Sequence, residues 1–312
     1  MRKVFWRSWC RFEAGFELDH FKTLPFEHEW VNAHNQIPTP QDIWLTTNGY
    51  DYRQGHPIQA TLFWESYQYA RPEHDRFPND NRWKHKFHYN PNYCQYPNTS
   101  LIGIGCWWKN EKQLYDQIRA NKKISHQFGM VLSKKPTEKS HQSDFGWFRT
   151  RVVEACKNRS FRYYGCGWSK DDPNYGGEIY VNGSRGSPVK FNDARHLMAN
   201  CKFVIALDNT NDEILSVNYL TEKIFHAFIS YSVPIYAGCW NADKLLGDDI
   251  FIDIKKFNYD IKAILDYCEN MPDSEYNGYL ERINKFMESR AGDFSCESRY
   301  LELDRKLSKI FQ

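Results

Sequence analysis

The stretch from Lys202 to Gly238, KFVIALDNTNDEILSVNYLTEKIFHAFISYSVPIYAG, gathers acids, amides, hydroxyls and a lysine around two apolar runs. Lys202 to Asp208, apolar from Phe203 to Leu207, reads as a buried strand, and polar Asn209 and Thr210 follow at its end. Farther on, Leu220, Ile224, Phe225 and Phe228 recur at helical spacing and mark one face of a helix, which places Glu222 and Lys223 in its first turn. Unpaired backbone N–H groups and the helix dipole favour a bound phosphate at such a turn, and a lysine there adds a full positive charge. Without their surroundings, the same two residues also read as a solvated helix start. A second cationic group, Arg149 and Arg151, lies where Phe145, Phe148, Val152, Val153 and Cys156 recur at helical spacing after Asp144, a candidate cap.

These groups need a frame that converges on one place. Strands are expected at Gln127 to Ser133, Phe161 to Tyr164, Lys202 to Asp208 and Val233 to Tyr236, with helices between them. Strand, helix and strand at this spacing imply a right-handed parallel crossover. Ligands of such sheets bind at the carboxyl ends of the strands, so Asn209 and the start of the next helix should face a cleft. Upstream, β-like runs at Lys3 to Trp6, Asp42 to Thr46, Ala60 to Trp64 and Leu101 to Trp107 alternate with polar stretches. A helix is expected around Phe16 to Leu24 and another over Asn110 to Lys123, whereas Tyr67 to Asn98, dense in Pro, Asn and His, reads as surface loop and a candidate acceptor-binding edge. With 312 residues the chain suits two units: 1–125, 126–285, and a helical segment, 286–312, packing back toward the first.

The order of these features resembles the signature of the α1,3/4-fucosyltransferase family. That signature runs as a hydrophobic strand, Phe-Glu-Asn-Ser/Thr, a gap, Tyr-hydrophobic-Thr-Glu-Lys, a helix, and Val/Ile-Pro-hydrophobic-hydrophobic-x-Gly. Its counterparts here are Leu207-Asp208-Asn209-Thr210, Tyr219-Leu220-Thr221-Glu222-Lys223 and Val233-Pro234-Ile235-Tyr236-Ala237-Gly238. The resemblance covers Phe128 to Phe257 and implies an α/β fold of two facing Rossmann-like domains, the GT-B arrangement. It further implies that GDP-fucose binds the C-terminal domain and a glycan acceptor the N-terminal one. Carried over residue by residue, Lys223 contacts the diphosphate, Glu222 and Tyr219 the ribose or fucose hydroxyls, and Asn209 the donor as well. Phe148 to Ala155 is similar to the family segment whose arginine holds the diphosphate, so Arg149 is the better-aligned candidate and Arg151 the second; the planar guanidinium suits a pyrophosphate because it donates two hydrogen bonds at once. An exposed helix arginine is the other reading of Arg149. Inverting transfer needs a base for the acceptor hydroxyl. Thr61 to Ser66 is the nearest counterpart of the family's base-bearing strand end and nominates Glu65, with Glu73 and Asp75 as alternatives.

The chain departs from the signature at three points. Asp208 replaces glutamate, Leu207 replaces phenylalanine, and the gap before Tyr219 is long and carries Asp212 and Glu213. These departures leave room for another nucleotide sugar, such as a xylose or other deoxysugar donor, and a glycan-binding protein without turnover is a rival from a different class. His226 and the other histidines lack metal-ligand spacing, and no Asp-x-Asp triplet occurs. The expectation is therefore that no metal is obligatory and that Arg149 and Lys223 neutralise the leaving diphosphate. A net charge of +2 with scattered basic residues argues against nucleic acid as a partner. No apolar run reaches the roughly 18 residues of a membrane span, and the first residues lack a signal-peptide core, so a cytoplasmic protein is expected. The nine cysteines, an odd number without a Cys-x-x-Cys pair, fit reduced thiols.

Overall fold

The computed structural model describes residues 2–7, 28–32, 43–47, 59–63, 85–101, 111–135, 144–179 and 191–310. Its strands form two wholly parallel sheets. The first contains β1 (Arg2–Arg7), β2 (His28–Asn32), β3 (Ile43–Thr47), β4 (Gln59–Phe63), β5 (His85–His88) and β6 (Thr99–Leu101), in the order β2-β1-β3-β4-β5-β6. The second contains β7 (His126–Val131), β8 (Phe161–Tyr164), β9 (Cys201–Leu207), β10 (Val233–Ala237) and β11 (Ile252–Asp253), in the order β11-β10-β9-β7-β8. Three of the expected N-terminal strands fall on β1, β3 and β4. The fourth meets β6 only at Leu101, and its remainder lies outside the described residues, as do Glu65 and the helix expected around Phe16 to Leu24.

The stretch Tyr67 to Asn98 is not all surface loop. It contains β5, hydrogen-bonded between β4 and β6, with Lys86, Phe87 and His88 buried. A strand in that position is covered on both edges, so its polar residues go inside with it, and the composition of His-Lys-Phe-His hid the strand. β2 was likewise unforeseen.

In the second sheet, β9 is apolar and almost wholly buried from Cys201 to Leu207 because helices cover both of its faces. Gly129 in β7 lies against Cys201 so closely that a Cβ would overlap the Cys201 Sγ. The helices are α1 (Lys112–Asn121), α2 (Phe148–Ala155), α3 (Phe191–Met198), α4 (Glu222–Ile229), α5 (Ala242–Leu246), α6 (Ile261–Glu269), α7 (Asp273–Ser289) and α8 (Cys296–Ile310). A single apolar face was expected for α4, yet Ile224 through Ile229 are all buried. Strands β9 and β10 pack on one side of it, α1 and α3 on others, and Phe286 of α7 closes over Phe225 and Phe228. The cap expected at Asp144 is also corrected. Helix α2 starts at Phe148 without a side-chain cap, while Asp144 Oδ1 accepts from Gly146 N at 2.9 Å and its backbone bridges to Thr210. Asp144 therefore shapes the turn before the helix and ties it to the end of β9. At the far end of the chain, Lys306 of α8 donates to the Leu101 carbonyl of β6.

Candidate functional site

In the second sheet the chain leaves β7 toward β8 on one side, then returns to build β9 on the other. Between β7 and β9 the loops diverge, and the crevice outside their carboxyl ends is where open α/β sheets bind ligands. Arg149 fills the base of that crevice. Its Nη1 donates to Ser133 O, just past β7, at 3.0 Å; its Nη2 donates to Leu207 O, the last residue of β9, at 3.3 Å and to Asn209 Oδ1 at 2.8 Å. At 2% exposure Arg149 is no solvated helix residue. Arg151, by contrast, is exposed and lies over the Trp147 ring. One guanidinium thus joins both strand ends and orients Asn209.

Beside it, α4 begins with Thr221 as N-cap, whose hydroxyl accepts from Lys223 N. Lys223 Nζ lies 2.9 Å from Glu222 Oε1, 3.3 Å from Thr221 Oγ1 and 3.7 Å from Asp208 Oδ1. Burial and the Arg149 charge oppose the ammonium, but Glu222 and Asp208 outweigh them and hold Lys223 above the ordinary lysine value. Burial likewise works against the Glu222 carboxylate, yet the Lys223 ammonium prevails and lowers it. Both groups therefore stay charged near neutral pH. His226, one turn along α4, is pushed down to about 4 mainly by burial and is neutral there.

Asp208 is the hub that sequence reasoning had treated as a departure. Its buried carboxylate accepts hydrogen bonds from Thr221 Oγ1 and from Tyr236 OH, the latter at 2.6 Å, and Tyr236 OH in turn accepts from Cys239 N at 2.8 Å. A Cβ on Gly238 would overlap that carboxylate, so the glycine ending the signature is required by Asp208 itself. Burial raises Asp208 to about 6, and Lys223, Thr221 and Tyr236 only partly counter it. Two further donors at this end of the sheet, Thr210 Oγ1 and Asn211 Nδ2, are buried without a hydrogen-bond partner, an arrangement that calls for a ligand or water.

Tyr219 is buried and packs its ring 5.3 Å from that of Tyr89, which follows β5 in the first sheet. The structure therefore gathers Arg149, Asn209, Glu222 and Lys223 at one end of the second sheet, with Tyr219 at the seam with the first. Glu65, nominated as base, lies outside the described residues. The contribution of Tyr89 and Asn90 was hidden in the stretch read as loop. Among the described residues, no group of three or more His, Cys, Asp or Glu side chains is placed to hold a metal ion. Chemically, two cations and two carboxylates at the strand ends supply groups suited to an anion's charge and to hydroxyl hydrogen bonds.

Residues 174–298 fit the family model described as glycosyltransferase family 10 (fucosyltransferase), C-terminal. An alpha-(1,4)-fucosyltransferase of Arabidopsis thaliana is 35% identical over 97 residues, a match that spans 29% of this chain and 23% of that protein's length. Among solved structures, an alpha1,3-fucosyltransferase has a TM-score of 0.52 at 13% identity, covering 95% of this chain and 91% of the other. The DNA-modifying enzyme beta-glucosyltransferase has a TM-score of 0.54 at 9% identity, covering 99% of each chain. At such identities the structures speak for the fold: two Rossmann-like parallel sheets in the GT-B arrangement. Asn209, Tyr219, Glu222 and Lys223 all lie within the stretch 174–298 that matches the C-terminal model of glycosyltransferase family 10 (fucosyltransferase).

Proposed function

We propose that the protein transfers fucose from GDP-fucose to a hydroxyl of a glycan acceptor, with inversion at the anomeric carbon. The observation that carries this reading is the strand-end crevice in which Lys223, at the N-terminus of α4, and Arg149, across the ends of β7 and β9, stand together. A diphosphate placed there meets the positive end of a helix and two permanent cations. The same fold is held by an alpha1,3-fucosyltransferase solved with GDP, at a TM-score of 0.51 and 15% identity, and the family segment contains Lys223. In this reading Lys223 and Arg149 stabilise the departing GDP, Glu222, Tyr219 and Asn209 hold donor hydroxyls, and Glu65 from the first unit takes the acceptor proton as the sugar–phosphate bond breaks. The division of labour follows units 1–125 and 126–285, with residues 286–312 bracing them.

Another nucleotide sugar is the second reading, favoured by Asp208 in place of the family glutamate. A donor panel read by released nucleoside diphosphate separates the two: GDP-fucose should be turned over fastest with an oligosaccharide acceptor mixture. Preference for a different donor would assign the second reading, and release from none would leave a glycan-binding protein. Because counter-charge comes from side chains, turnover should persist in excess EDTA. A complete loss that metal restores would overturn that part of the mechanism.

A further inference from the structure

The loop that brings Tyr219 into the crevice, residues 208–221, carries a strained point immediately before it. Asn218 has φ 61°, the left-handed region that side chains other than glycine adopt at a cost. It is held there from two directions. Asn218 N donates to Asn241 Oδ1 at 2.8 Å and Asn241 Nδ2 donates back to Asn218 Oδ1 at 2.9 Å, which fixes the residue to the turn after β10. Its remaining group, Nδ2, crosses to the first unit and donates to Tyr89 O at 3.3 Å. The contact is reciprocated a few residues away, where Asn90 Nδ2 donates to Ile214 O at 2.6 Å and Asn92 Nδ2 reaches the same carbonyl at 3.3 Å. Between these two lines of hydrogen bonds the Tyr89 ring lies against Tyr219.

The local chemistry makes the seam specific. Asn90 Oδ1 accepts from Asn92 N at 2.9 Å and shapes the single 3-10 turn Pro91–Tyr93, so its amide nitrogen is turned outward to Ile214. His88 Nδ1 accepts from Asn90 N at 2.9 Å, and the His88 ring stacks on Tyr93, which fixes the base of the turn to β5. On the other side, Asp212 Oδ1 accepts from both Ile214 N and Leu215 N, which aims the Ile214 carbonyl out of its own loop. Each partner is therefore also held by hydrogen bonds within its own unit.

We infer that Asn218 and Asn90 are positioning residues: they clamp the tyrosine-bearing loop of the donor site to the first unit, so that Tyr219 is in register for a nucleotide sugar only while the two units are docked. This inference rests on the donor-site reading above. It names two residues upstream of the Tyr-x-Thr-Glu-Lys run, one of them, Asn90, on the acceptor side, that set donor affinity without touching the diphosphate.

Asn218→Asp and Asn90→Asp keep the acceptor oxygen and the turn but replace the N–H donor that crosses the seam with a carboxylate that repels the facing carbonyl, so a variant that breaks the contact without adding charge is needed beside them. Asn218→Gly is the companion variant, keeping the φ while removing both sets of contacts. GDP affinity is measured by calorimetry and thermal stability by unfolding on the same preparations, each variant also being placed in a Tyr219→Phe background. We expect each variant to raise the GDP Kd by about five- to thirtyfold, the effect of one to two hydrogen bonds lost at a buried seam, in protein that still unfolds cooperatively with a lowered midpoint. In the Tyr219→Phe background the further loss should shrink to less than about twofold, since residues acting as one unit are not additive. Parent-like GDP affinity in Asn218→Asp, Asn90→Asp and Asn218→Gly, or losses that add in full to that of Tyr219→Phe, would overturn the inference. A parent protein that binds no GDP would instead remove the donor-site reading beneath it.

Discussion

Asp208 is fully buried, and its nearest counter-charge is the ammonium proposed to hold the donor diphosphate. Its carboxyl, raised to about 6 by burial, gains a proton as the pH falls through that value, and the crevice then changes from two cations facing two carboxylates to two cations facing one. Anion affinity should rise accordingly. GDP-fucose, whose diphosphate is esterified at both ends and so has no proton to exchange near pH 6, should bind severalfold more tightly at about pH 5.5 than at about pH 7.5. Asp208→Asn should flatten this dependence, and calorimetry at the two pH values checks both. Affinity that weakens with acid would show that Asp208 is not the titrating group. Glu65→Gln addresses the chemical step: loss of a general base lowers transfer by roughly 10² to 10⁴ while leaving GDP binding nearly intact. Turnover within about threefold of the parent would shift attention to Glu73 and Asp75. Motif spacing made Lys223 and Glu222 legible, because a helix start announces itself through its apolar periodicity. Asp208 was legible only as a mismatch, since what makes it central is the approach of Tyr236 and Gly238 from β10, a tertiary fact.

The crossing from β9 through α4 to β10 does most of the positioning, and its elements were readable for a physical reason. A strand covered on both faces becomes a continuous apolar run, as Phe203 to Leu207 does. β5 fails that test because Lys86 and His88 are buried within it, and α4 misled because a helix enclosed on every side has no polar face to show. Two substitutions probe these elements. Gly129→Ala would push a methyl group into Cys201 and should destabilise the protein by about 1 to 3 kcal/mol, the usual cost of overpacking a core. Cys201→Ala in the same chain should restore part of it by removing the sulfur. Urea unfolding of both variants measures this, and an additive double variant would show that the strands do not meet as described. Thr221→Ala removes both a helix cap and a hydrogen bond to Asp208, so it should cost about 1 kcal/mol or more of stability, whereas Thr221→Ser keeps the hydroxyl and should be nearly silent.

On the scale of the whole molecule, two parallel sheets of related strand order are bridged by the seam at Tyr89 to Asn92 and by the contact from α8 to Leu101. No helix among the described residues is long and apolar enough to cross a membrane. The net charge of +2 is too small to attract an anion from a distance, so the affinity for a nucleoside diphosphate has to be local, concentrated where Arg149 and Lys223 meet the ends of β7 and β9. That local charge is the central claim, and GDP binding tests it most directly. Titration calorimetry in EDTA should show GDP binding to the parent and a loss of about 1.5 to 3 kcal/mol in Lys223→Ala, the value of a charge-assisted hydrogen bond, with a comparable loss in Arg149→Lys, which keeps charge but not the fork. GDP affinity unchanged in both variants, while both remain folded, would contradict the placement of the donor at this end of the sheet.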